Sequence, residues 1–181
     1  MALAGCGSSK RPPPAISPHD LRLQSRPIGA GPRFHPPAAD RPVPDCRSGL
    51  GRRIAAHVEV FAADRVVLIA SGIGTRPPRA LRAGRIVSAR CYGPIVTLEP
   101  TGVVLVRPGS TRTVGELFRQ WGQPLTPTRI ASFTGRVRVY VGGRRIFVRP
   151  AAVELARHAE IVLEVGPFVP PHPVYGFPPG L

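Results

Sequence analysis

Between residues 55 and 166 apolar side chains recur with the two periods that backbone geometry allows, and outside that stretch they do not. Val58 and Val60, then Val66 to Ile69, are two apolar runs parted by Ala62-Ala63-Asp64, which predicts a hairpin ending at Ser71-Gly72-Ile73-Gly74. Short strands are expected at 85–89, 94–98 and 103–107, set apart by Pro and Gly. Val137, Val139 and Val141 alternate with Arg138 and Tyr140, Gly142-Gly143 permits the positive φ angles of a type I′ turn, and residues 144–148 return. A final strand is expected at 161–165, and residues 150–159 fit either a short helix or a loop.

One segment changes period. Val114, Leu117, Phe118 and Trp121 fall at i, i+3, i+4 and i+7, so residues 113–122 predict a helix with one apolar face. Thr113 and Glu116 match a capping box, in which each side chain satisfies a backbone N–H that the helix leaves unpaired. Gly122 supplies the stop, and Trp121 reads as core packing. The two hairpins echo each other at an offset of 79 residues: Val58-Glu59-Val60-Phe61 with 65–69, and Val137-Arg138-Val139-Tyr140 with 144–148. The echo predicts two short β lobes sharing a core, or two hairpins that converged on one solution. The expected fold is a small α+β domain over 54–167, antiparallel and β-rich, with two similar hairpins and one capped helix. A β-grasp-like arrangement is one form it could take.

Proline marks the limits of that domain. Ten of the 24 prolines precede residue 45 and six lie in the last fifteen residues, where apolar periodicity is missing. Such stretches bury too little to offset their ordering entropy, so 7–53 reads as a Pro-rich tether and 168–181 as a Pro-rich tail. His19, His35 and His172 lie in these stretches, where nothing in the sequence would hold them. No apolar run approaches the roughly 18 residues of a membrane helix.

The net charge of +15, from 25 basic and 10 acidic residues, points first to nucleic acid. All the basic residues but Lys10 are Arg, they are scattered, and aromatics make up only 6% of the chain. Without a basic block or stacking platforms, a dedicated nucleic-acid binder is not the expectation. A basic surface that favours anionic lipid headgroups or another acidic partner is.

Leu3-Ala4-Gly5-Cys6, followed by Gly7-Ser8-Ser9, resembles the lipobox of bacterial lipoproteins. In that motif small residues admit the signal peptidase, and the resemblance implies that the Cys6 thiol is the nucleophile that accepts the lipid. Residues 1–6 would then be the end of a signal, and an in-frame basic and apolar segment is expected upstream of Met1. Cys46 and Cys91 remain as an even pair, either joined in an oxidising compartment or left as two thiols.

Several segments together carry a wider resemblance. They are His57-Val58-Glu59-Val60-Phe61 through Gly74, Cys91-Tyr92-Gly93-Pro94, the helix 113–122, Val139-Tyr140-Val141 and the ending Phe177-Pro178-Pro179-Gly180-Leu181. Over roughly 55–181 the chain is similar to a group of uncharacterised actinobacterial exported proteins and lipoproteins. The resemblance implies export and brings no established activity. Its members carry His-Thr-His-Asp after the Cys segment, a further His, and a His-x-His in the first hairpin, a set that would suit a metal. This chain has Val96-Thr97-Leu98-Glu99, Leu105 and Ala55-Ala56-His57 at those places, so no metal site is expected from the resemblance.

His57 and Glu59 lie two apart and so share a strand face. They read as a remnant ligand pair or an acid/base couple, or, as the preferred reading, as a half-exposed polar face opposite Val58 and Val60. G-x-S-x-G, C-x-x-C and H-E-x-x-H are absent, and Ser71-Gly72-Ile73-Gly74 lacks the residues of a phosphate loop. No catalytic residue and no cofactor is expected. The sequence thus predicts an extracytoplasmic lipoprotein on the cell membrane, anchored through Cys6, that binds a cell-envelope or acidic partner without catalysis. The alternative is a cytoplasmic basic protein that binds nucleic acid or an acidic partner.

Overall fold

The computed structural model describes residues 41–63, 65–109 and 111–181. Strands β1 (Ile54–Ala62), β2 (Arg65–Val66), β3 (Thr75–Arg82), β4 (Arg85–Tyr92), β5 (Ile95–Val96) and β6 (Val103–Val106) precede helix α1 (Val114–Trp121). Strands β7 (Leu125–Thr126), β8 (Arg129–Ile130), β9 (Phe133–Thr134), β10 (Val137–Val141), β11 (Arg144–Ile146) and β12 (Glu160–Val165) follow it. The main sheet runs β11-β10-β12-β1-β6-β5, with β2 attached to β1. β3 and β4 form a hairpin of their own, and β7 to β9 a small third sheet.

Alternation along β1 explains the layers. Ala56, Val58, Val60 and Ala62 point to one face, where they meet Leu163, Val139 and the apolar side of α1 in the main core. The helix is set as its sequence predicts: Thr113 accepts from the Glu116 N–H, Glu116 accepts from the Thr113 N–H, and Gly122 closes it at φ 81°. On the opposite face Ala55 and Leu105 pack with Val96, Leu98, Tyr92 and Ile86, which joins the β3–β4 hairpin to the sheet.

The domain is small and β-rich, as expected, but it is not wholly antiparallel. β12 runs parallel to β1, in the register His57 with Glu160 and Glu59 with Val162. Its six residues are all buried, because β1 and β10 flank it and both of its faces are covered. The two echoing hairpins therefore do not make separate lobes; they stand in one sheet on either side of β12. The first is also shorter than its apolar run: after Val66 the chain leaves the sheet and sends Val67 and Ile69 into the core.

β3 has no counterpart among the expected strands because Pro77 and Pro78 interrupt it. It pairs on one side only, and its register shifts across the two prolines, which is where a sheet tolerates residues without an N–H. The folded region is also wider than 54–167. Arg47 bridges to Tyr92, and the buried Arg53 donates to the carbonyls of Leu50, Gly93 and Pro94. At the other end Tyr175 is buried, so the Pro-rich ending is packed against the sheet. No helix among the described residues is long and apolar enough to cross a membrane.

Candidate functional site

The second face of the sheet carries ionisable groups where an apolar layer would be expected. Strand partners in a parallel pair share a face, so the β1–β12 register gathers His57, Glu59, Glu160 and Glu164 there. β10 adds Arg138 opposite Glu164, donating from Nε to Oε2 at 3.0 Å. These groups are buried because residues 166–177 cross over them. Arg138 donates to the carbonyls of Gly166 and Pro167, and the Val169 N–H donates to Glu164.

His57 is the centre of the arrangement and is fully buried. Its Nε2 lies 2.8 Å from the Thr101 carbonyl oxygen, which can only accept, so Nε2 carries a proton and donates it there. Its Nδ1 faces Glu160 Oε2 at 2.7 Å. The ring stacks on Tyr175, with centroids 3.8 Å apart and planes 6° from parallel. The Thr101 loop comes this close because the next residue is Gly102 at φ +80°; a Cβ there would lie 2.5 Å from the Val58 carbonyl and 2.8 Å from His57 Nε2.

Burial decides the charges. Loss of water pushes the His57 pKa down to about 4, against the opposing pull of Glu59 and Thr101. The same loss pushes Glu160 up to about 9, with the charge of Glu59 adding to it. The contact between them has ion-pair distance, but both shifts favour the uncharged forms, so a protonated Glu160 donates to a bare Nδ1. His172 behaves in the opposite way. Its Nδ1 donates to Glu59 Oε2 at 2.7 Å, and that bond raises its pKa.

Two oxygens are left over. Glu59 Oε1 and Glu160 Oε1 are buried with no hydrogen-bond partner among the described residues. Donor atoms of His57, Glu59 and Glu160 all lie within 4.8 Å of one another. A cavity of about 20 Å³ opens beside them, lined by His57, Glu59, Thr101 and Gly102 among others. One imidazole and two carboxylates can hold a proton or a cation. Among the described residues His57 hydrogen-bonds a backbone carbonyl and a carboxyl group.

Compared with protein-family models, curated proteins and solved structures, the chain matches none. The site is therefore read from its own chemistry.

Among the residues singled out in the sequence, His57 and Glu59 do share a face, but they are not half-exposed. Their relative exposures are 0% and 3%, because the C-terminal segment covers the side opposite Val58 and Val60. His172 is likewise held, by Glu59, although it lies in the Pro-rich ending. Val96, Leu98 and Leu105, the aliphatic positions in the resemblance, belong to the second apolar cluster. Leu98 and Leu105 also line a cavity of about 160 Å³ next to Tyr175. Cys46 and Cys91 are bonded to each other, with their Cα atoms 5.4 Å apart. Cys6, His19 and His35 lie outside the described residues. Nothing in the linear pattern marks Glu160, Thr101 or Tyr175: Glu160 reads as a polar flank of the 161–165 run, and only the parallel register brings it to His57.

Proposed function

We propose that this protein works outside the cytoplasm as a lipid-anchored, non-catalytic binding domain for an acidic partner, akin to the actinobacterial exported proteins it resembles. The Cys46–Cys91 bond carries the reading. Disulfides persist in oxidising compartments and are rare in the cytosol of mesophiles, which weighs against the cytoplasmic alternative. The bond fastens the segment upstream of β1 to the end of β4, where a domain held on an N-terminal tether would take strain.

An α+β, β-grasp-like reading of the fold has support of the same kind. The order β6-β1-β12-β10-β11 has a parallel pair at its centre, an antiparallel neighbour on each side, and helix α1 between its two halves in sequence. A site for the partner is a groove of about 580 Å³ along the β10–β11 edge, lined by Arg136, Arg145 and Arg149 with Phe147. Mass spectrometry of the protein from its native cells tests the reading. The expected product begins at a diacylglyceryl-modified Cys6 and keeps Cys46 and Cys91 joined. An unmodified amino terminus at Met1 with free thiols would overturn it.

A further inference from the structure

We infer that His57, Glu59 and Glu160 form a binding site for one divalent first-row transition-metal ion, with zinc as its representative. The three residues are exposed by 0%, 3% and 3%, and they come from adjacent parallel strands whose pairing holds them in place. Each carboxylate is held by one oxygen only. Glu59 Oε2 accepts from His172, and Glu160 Oε2 faces His57. The remaining oxygen of each has no partner among the described residues, and buried acceptors are rarely left so. A cation among them would supply what both oxygens lack, and would displace to solvent the proton that Glu160 shares with His57 Nδ1.

His57 is oriented as a metal-binding histidine is. Its far nitrogen donates to the Thr101 carbonyl, which fixes the tautomer and leaves Nδ1 directed at Glu160. Donors in a tetrahedral zinc site, at bond lengths of about 2.0–2.2 Å, stand roughly 3.4 Å apart. The three donors here lie within 4.8 Å, so side-chain shifts of about 1 Å close the set. The adjoining cavity of about 20 Å³ suits one ion or one water and excludes an organic ligand. Mixed nitrogen and carboxylate donors suit Zn²⁺, Fe²⁺ or Mn²⁺; a soft ion such as Cu⁺ would want sulfur, and Ca²⁺ more oxygens. His172, the partner of Glu59, has a side chain that is 31% exposed. Because His172 holds Glu59 and Tyr175 stacks on His57, the ion would also fasten the C-terminal segment to the sheet.

The test uses the full chain, stripped with a chelator, reloaded with zinc, passed through gel filtration and assayed by elemental analysis. About one equivalent is expected to stay bound. In Glu59→Gln and in Glu160→Gln, affinity should fall at least tenfold while the circular dichroism spectrum is kept. Less than a tenth of an equivalent in the wild type would overturn the inference, as would undiminished binding in either folded variant. Should a variant fail to fold, the wild type decides alone. One equivalent of zinc should shift the His57 imidazole nitrogens in ¹⁵N NMR, and unmoved resonances would refute the site.

Discussion

At the scale of single residues, the buried face is a set of opposed titrations. Glu160 is protonated in the fold, and its raised pKa of about 9 contributes stability that is complete below the unfolded carboxyl value near 4.5. That contribution is lost as pH rises toward 9. His57, lowered to about 4, contributes in the reverse sense: its stability is complete above about 6.5 and is lost as pH falls toward 4. Between pH 4.5 and 6.5 the two slopes oppose each other. Above 6.5 Glu160 and the raised His172 both lose stability with rising pH. Chelator-treated protein should therefore unfold at steadily lower temperature from pH 6.5 to 9, with a slope of at most about 1.4 kcal/mol per pH unit from Glu160. Thermal melts across that range check it, and Glu160→Gln should remove most of the decline. A flat profile would mean that Glu160 is ionised in the fold. His57 and Glu59 were legible in the sequence as a pair on one face. Their burial was not, because it depends on Tyr175 and His172 arriving from more than a hundred residues away.

At the scale of elements, local signals were legible and long-range pairings were not. The capping box of α1 formed as read; the Gly142-Gly143 hairpin formed too, with its return strand ending at Ile146, and β1 formed with both of its faces buried. The parallel β1–β12 pair has no such mark, because residues far apart in the chain meet through a register that neither strand encodes alone. β3 was hidden by Pro77 and Pro78, and the C-terminal cover by the same compositional bias that marks disordered tails. The Cys46–Cys91 bond belongs to this scale as well. It closes a loop spanning 45 residues that contains β1 to most of β4, including both halves of the His57–Glu59 face. The chain-entropy model gives such a closure roughly 4 kcal/mol. Unfolding in denaturant with and without a reductant should differ by about that amount, and the Cys46→Ser/Cys91→Ser variant should match the reduced protein. A difference below about 1 kcal/mol would show that the reduced chain, even when unfolded, keeps residues 46 and 91 close together.

At the scale of the whole molecule, a charge of +15 has to be separated from where the charge is placed. A basic protein attracts any polyanion at low salt, so attraction alone is no sign of a site. The β11 edge offers something more specific. Arg145 sits over the Phe147 ring at 5.0 Å, Phe147 is 82% exposed, and Arg136 and Arg149 line the same groove. Arginine at an exposed edge also blocks strand addition from another copy, so the cluster has a purely protective reading too. The two readings separate in a matched pair of variants. Arg145→Glu/Arg149→Glu and Arg82→Glu/Arg90→Glu change the net charge equally, but the second pair lies on the β3–β4 hairpin, away from the groove. If the groove binds an acidic partner, the first variant should weaken binding of a polyglutamate probe at least tenfold and flatten its salt dependence, while the second stays within about twofold of wild type. Equal weakening in both would leave only the net charge at work, and the edge arginines would then serve to keep β11 from pairing with a neighbour.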